Sequence, residues 1–355
     1  MLLGLGPDGP VTGRRVAITG IGVVSSVGSG ADAFWTGLHG PAPEGERRVH
    51  DFDPERWFST KEARTLDRFA QFSVAVADMA LADAGDLDAD PGRSGVIMGT
   101  GVGGLQSLET QILVYADKGA RRVSPRLVPM MMSNAGAAAV SMRLGWHGPS
   151  ETVITACAAG AHSIAHAARL VATGRCDVAV GGAAEAGMTN VGIAAFANMT
   201  ALSTTGRSMP FDVRRDGFVM TEGAGALVLE DWDRAVARGA RIYGELAGAA
   251  STADAHHITA PAPGGSGAAA CMQLAMDDAG VDSGGVRHIN AHGTSTPLND
   301  QAESDAIGKV FGPDSPPVTS IKGATGHGLG ASGAIEAVAC VLTIDRKSID
   351  RKSVV

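Results

Sequence analysis

Short β-branched runs alternate with longer helical patterns along nearly the whole chain, and a chain patterned this way folds as a sheet covered by helices. RRVAITGIGVV precedes FSVAVADMALADAG, RSGVIMGTG precedes a long segment, and ETVITAC precedes AGAHSIAHAARLVATG. The series continues through CDVAVGGAA, GALVLED and IYGELAGAAS, then the helix GAAACMQLAMDDAG, the strand VRHINAHG, the helix NDQAESDAIGKVF and the strand PVTSIKG. No short-period repeat is visible, which argues against a solenoid. One series runs to about residue 245 and a second follows it, so the pattern reads as α/β throughout in two series, 13–245 and 246–343. With 49 glycines and only 4% aromatic residues, the core must come from tightly packed strands and small-residue helices.

Charge and cysteine usage narrow the function classes. A formal net charge of -8 argues against a nucleic-acid binder, which needs a concentrated basic surface. Cys157, Cys176, Cys271 and Cys340 lie far apart, without the paired spacing of a disulfide framework or zinc site, so a reducing, cytoplasmic setting is expected. No apolar run is long enough to span a bilayer. The leader at 1–12 lacks a basic start and is broken by Gly and Pro, so it reads as a disordered extension rather than a signal peptide. The last twelve residues, 344–355, hold the unit Ile-Asp-Arg-Lys-Ser twice and interrupt the apolar pattern IEAVACVLT, so they read as a tail foreign to the fold.

Three short stretches carry the chemistry. Cys157 follows the strand ETVIT and opens a helix of small residues, where the positive end of the helix dipole favours a thiolate and lowers the thiol pKa. His292 stands past the end of a strand in NAHGTSTPLND. Lys322 ends a strand, and His327 lies in the glycine-rich turn after it, in KGATGHGLGASGAIEA. Ligands of α/β sheets collect beyond the carboxyl ends of strands, so these four residues can converge there. A metal site is disfavoured, because no i,i+3 or i,i+4 ligand pair and no carboxylate cluster accompanies them. GTGVGG, at Gly99 to Gly104, fits a dinucleotide loop but lacks the acidic residue expected beyond it. His162, His166, His256 and His257 read as packed or solvated.

Together, TACAAG, NAHGTSTPLND and KGATGHGLGASGAIEA resemble the elongating β-ketoacyl-acyl-carrier-protein synthases of the thiolase superfamily, and the resemblance extends over about residues 13 to 343. It implies a thiolase-like five-layer αβαβα fold with two similar halves, a homodimer, and a Cys-His-His triad. By resemblance Cys157 is the nucleophile, His292 and His327 the catalytic histidines, and Lys322 the active-site lysine. Thr294 and Thr296 match the hydroxyls that contact the phosphopantetheine arm, and Glu336 a structural acidic position. Met132 matches a residue lining the acyl tunnel and dimer interface. The implied reaction is decarboxylating condensation of an acyl group with malonyl-acyl-carrier protein, with no cofactor of the enzyme's own, since the arm is carried by the partner. Docking that acidic carrier needs basic residues, for which Lys61, Arg64 and Arg68, on one expected helix, are the candidates. A thiolase would need a second, late catalytic cysteine, and a non-catalytic chain-length-factor subunit would lack Cys157.

Two features depart from that family. Beyond residue 343 the family continues with further strands and a glycine-rich motif carrying a phenylalanine of the oxyanion hole, so a chain without them is expected to fold or turn over poorly. The loop STTGRSMPFD is short and carries Met209 where an arginine often stands.

Overall fold

The structure is a computed structural model and describes residues 13–349. The expected leader at 1–12 lies outside the described residues, as do 350–355 of the expected tail. Among the described residues, nine strands form two sheets: β1 Val16–Ser25, β2 Gly28–Ser29, β3 Ser94–Gly99, β4 Ser150–Glu151, β5 Val178–Glu185, β6 Gly223–Asp231, β7 Gly244–Glu245, β8 Ile289–Asn290 and β9 Val318–Thr319. The first seven build a mixed sheet in the order β2-β1-β6-β5-β3-β4, with β7 also on β1. β3 runs parallel to β4 and β5, while β6 runs antiparallel to both β5 and β1. β8 and β9 form a separate parallel pair.

Both faces of the large sheet are covered, which is why β1, β3 and β5 are buried at every position instead of alternating. On one face lie the helices Arg68–Ala84 and Ala135–Leu144, packed through Phe72, Val76, Ala80 and Val140. The first of these sits almost on the backbone of β1, since a Cβ at Gly22 would stand 2.0 Å from the Val76 carbonyl oxygen. Small residues in VAITGIG thus set the helix-to-sheet distance. On the other face lie Ala159–Ala172 and Ser332–Arg346, packed through Ile164, Val171, Ile335 and Val338. Outside these, the helices Ser266–Ala279 and Pro297–Phe311 pack on each other.

The two halves are unequal: β8 and β9 span two residues each, although longer strands were read from VRHINAHG and PVTSIKG. Ala291 N–H still donates to the Thr319 carbonyl at 2.7 Å, after which His292 and Lys322 turn away toward polar partners described below. Likewise ETVIT forms ladder only at β4, and residues 152–155 continue extended without pairing. The expected break between 343 and 344 does not coincide with a helix end. The last described helix runs through Arg346, whose guanidinium pairs with Asp32, while Arg241 pairs with Asp345 at 2.5 Å.

Candidate active site

Cys157 occupies a sharp elbow between β4 and the Ala159–Ala172 helix. The elbow is a short 3-10 turn, Ala156–Ala158, entered through Ala156 at φ 50, a conformation strained for a residue with a Cβ. Behind it, the Ala159–Ala172 and Ser332–Arg346 helices cross at backbone contact: a Cβ on Gly160 would lie 2.4 Å from the Ala334 nitrogen, and one on Gly333 2.7 Å from the Ala161 nitrogen. The small residues after Cys157 therefore serve this crossing. Met188, Phe218, Met220 and Leu329 form the apolar cluster against which Cys157 packs.

His327 reaches the nucleophile, with its Nε2 3.0 Å from Cys157 Sγ. Its Nδ1 lies 2.9 Å from Ser332 Oγ, which itself accepts the Gly328 N–H at 2.9 Å. With a lone pair so engaged, the hydroxyl hydrogen is available to Nδ1, and a neutral ring that accepts at Nδ1 carries its hydrogen on Nε2. His292 stands edge-to-face with His327, centroids 5.3 Å apart. Lys322 Nζ lies 3.3 Å from His292 Nδ1 and donates to the His292 carbonyl at 2.7 Å, which assigns the same tautomer to that ring. Lys322 is 1% exposed and also pairs with Glu336. Glu303 accepts the N–H groups of His292 and Gly293, each at 2.7 Å, and so fixes the histidine backbone.

The electrostatics follow from enclosure around one cation. Desolvation, then the Lys322 charge, hold His292 and His327 well below the ordinary histidine range, so both rings are neutral. Burial pushes the Cys157 thiol up, with the Lys322 charge acting against it. Against the expected acidification at a helix N-terminus, Cys157 lies in the short turn Ala156–Ala158 ahead of the helix proper, where burial acts against the thiolate. Burial likewise raises Glu336, against the pull of Lys322. Glu185, fully buried beneath the site, is raised by burial to about 7. It accepts Gly101 N–H at 2.6 Å, Gly330 N–H at 3.1 Å and Thr100 Oγ1 at 3.0 Å, which ties β5 to both loops beside Cys157. The ligand atoms of Cys157, His292 and His327 lie within 4.8 Å of one another, a spread that fits a metal ion, but the neighbouring ammonium would repel one.

The structure thus brings Cys157, His292, His327 and Lys322 together. Thr294 and Thr296 share a 2.8 Å hydrogen bond on the turn after His292. That turn is anchored by the STTGRSMPFD loop, whose Met209 N–H donates to Ser295 Oγ at 2.9 Å. Met132 is 49% exposed on this chain, as is Val128 nearby, and the neighbouring Met130 lines a cavity of about 450 Å³. Lys61 and Arg64 are exposed, but the three basic residues do not share one helix. Lys61 lies in the short helix Thr60–Ala63, and Asp67 caps a new helix that begins at Arg68. Arg68 leaves the set of docking candidates, since its guanidinium bridges Glu222 at 2.9 Å and the Val49 carbonyl at 2.7 Å. Glu185, Glu303 and Ser332 were missed, because each acts through a backbone or ring contact that no local spacing marks. Among the described residues, no helix is long and apolar enough to cross a membrane.

Comparison with known proteins accords with this geometry. The family described as "Beta-ketoacyl synthase, N-terminal domain" matches residues 44–235, and "Beta-ketoacyl synthase, C-terminal domain" matches residues 243–353. The chain is 42% identical to a 3-oxoacyl-[acyl-carrier-protein] synthase 2 of Synechocystis sp., over 93% of this chain and 85% of that protein. It is also 42% identical to the protein of the same name from Rhizobium meliloti, over 93% and 86%. Among solved structures, the ishigamide ketosynthase/chain length factor superposes with a TM-score of 0.89 at 34% identity, covering 94% of this chain and 87% of that one. A type II polyketide ketosynthase solved with its acyl-carrier protein, bound to the hexaketide, gives 0.86 at 32% identity, covering 95% and 88%.

Proposed function

The chain belongs to the beta-ketoacyl synthase family, and from that premise we propose how its residues carry out the condensation. It is a thiolase-fold acyltransferase of fatty-acid or related polyketide elongation, joining an acyl group to malonyl-acyl-carrier protein. In the proposed assignment, Cys157 receives the acyl group. Its thiolate, stabilised by the Nε2–H of His327 and the charge of Lys322, attacks the carrier thioester, the C–S bond to the carrier breaks, and the carrier leaves as a thiolate that takes up the proton Cys157 released. A malonyl thioester then loses carbon dioxide as its C–C bond breaks. The enolate oxygen that develops is held by the Nε2–H groups of His292 and His327, whose hydrogens are already aimed because both Nδ1 atoms are occupied. The new carbanion attacks the acyl-cysteine carbonyl, a C–C bond forms, and the Cys157 thiolate departs. No proton need be gained or lost in that second stage, which suits rings held neutral by burial.

The observation that carries this reading is the 3.0 Å contact between His327 Nε2 and Cys157 Sγ, with His292 and Lys322 in the same enclosure. The partner is an acyl-carrier protein whose arm enters beside Thr294 and Thr296, with Lys61 and Arg64 as the basic residues at its docking face. Exposed Ile112, Leu113, Tyr115, Val128 and Met132 support a dimer. The chain-length-factor reading is disfavoured by a cysteine nucleophile within hydrogen-bond reach of His327.

Intact-mass measurement after incubation with a medium-chain acyl carrier thioester tests the assignment. The parent protein gains one acyl mass and Cys157→Ala gains none; acylation that persists in the variant would place the nucleophile elsewhere.

A further inference from the structure

Arg47 is buried, 2% exposed, yet no described carboxylate pairs with it. Burial without a counter-ion lowers its guanidinium pKa to about 10. A desolvated charge persists only where other polar groups satisfy it. Here they are carbonyls, which take the two terminal nitrogens and leave the buried Nε without a described partner: Nη1 donates to the oxygens of Lys322 at 3.2 Å, Gly323 at 3.2 Å and Ala324 at 2.8 Å, and Nη2 donates to Pro43 at 2.9 Å. Three of these belong to the four-residue helix Lys322–Thr325, whose carbonyl groups have few partners within so short an element.

The backbone of Arg47 is locked to the same region. Its N–H donates to the Met220 carbonyl at 3.3 Å, and Thr221 Oγ1 donates to its carbonyl at 2.5 Å. Residues 219–221 in turn hold His327, through His327 N–H to Val219 at 2.7 Å and Thr221 N–H to His327 at 3.1 Å. Gly326, at φ +78, completes the enclosure, since a Cβ there would stand 3.2 Å from Arg47 Cδ. One side chain thus spans the turn between Lys322, which sets the His292 ring, and His327, which faces the nucleophile.

Building on the assignment above, we propose that Arg47 is a positioning residue for decarboxylation, fixing the Lys322–His327 turn so that both histidine N–H groups converge on the enolate oxygen. Cys157 sits on a separate elbow with its own apolar support and needs only the His327 N–H, whereas decarboxylation needs both histidine N–H groups to converge, so acylation depends on Arg47 less.

Two half-reactions measured on the full chain separate these roles: acylation by intact mass, and decarboxylation of malonyl-acyl-carrier protein by release of carbon dioxide. Arg47→Met keeps much of the apolar stem and removes the donors. Its kcat for decarboxylation is expected to fall on the order of tenfold to a hundredfold, with KM and the acylation rate within about threefold of the parent. Arg47→Lys retains charge without a planar fork and is expected to lie between the two. Should Arg47→Met fail to accumulate as folded protein, Arg47→Lys carries the test with the same split. Unchanged decarboxylation, or a loss shared equally by both half-reactions and tracking a lowered Tm, would overturn the proposal. A parent protein that neither accepts an acyl group nor decarboxylates would instead overturn the condensing assignment.

Discussion

The elbow that carries Cys157 is walled by apolar packing, whereas the turns that carry His292, Lys322 and His327 are held by hydrogen bonds between distant residues. Behind the elbow stand a seven-stranded sheet covered on both faces and a helix crossing at backbone contact. Behind the turns stand a two-stranded sheet and buried polar side chains: Glu303 on the His292 backbone, Glu336 on Lys322, and Ser332 on the His327 ring. Apolar packing fixes position to the limit of core rigidity and leaves the thiol one polar partner, the His327 ring. Hydrogen bonds fix tautomer and ring direction as well, which a proton-donating pair requires and a nucleophile does not.

Breaking the apolar side should have the largest effect. Gly160→Val forces a side chain into the Ala334 backbone, so we expect a loss on the order of 3 kcal/mol in denaturant unfolding, with acylation and decarboxylation declining together. A variant as stable as the parent would show that the helices can separate at little cost, contrary to the comparison.

The polar side should fail selectively. Ser332→Ala leaves the Gly328 N–H unsatisfied and frees the His327 tautomer, at about 1–3 kcal/mol. Decarboxylation is expected to drop roughly tenfold, the rate equivalent of about 1.4 kcal/mol, and acylation of Cys157 by less, because the Lys322 charge also stabilises its thiolate. Equal losses in both half-reactions would remove the distinction drawn here.

Glu185 touches both sides, and its effect is read as a dependence on pH. Burial raises its pKa from 4.5 to about 7, so the native state binds the proton more tightly than the unfolded chain does. Its contribution to stability is present at low pH and is lost as pH rises from about 4.5 through about 7. The depressed histidines act with the opposite sign, losing stability as pH falls below about 6.5, but they are common to parent and variant. Glu185→Gln removes the ionisation alone. Its unfolding midpoint relative to the parent should therefore rise between pH 5 and pH 8, and a difference that stays flat would mean that this carboxyl does not titrate in the range.

The alternation of strand and helix patterns, the small-residue stretch after Cys157 and the glycine turns around His292 and His327 were all legible in the chain. Each is a local pattern set by short-range geometry. Strand length was not: VRHINAHG and PVTSIKG leave their ladder early because Glu303, 11 positions from His292, and Glu336, 14 positions from Lys322, draw backbone and side chain into turns. Nor was the docking helix, which Asp67 divides by capping a new helix.

The sequence by itself determined the fold class and the four residues that meet in the pocket, because periodicity and turn chemistry act over a few residues. Only the tertiary structure decided what state those residues hold. The thiol is raised and the rings are lowered by enclosure within walls drawn from across the chain, and Arg47 meets Lys322 from 275 positions away. Desolvation and long-range hydrogen bonds belong to the packed arrangement, and no spacing along the chain encodes them.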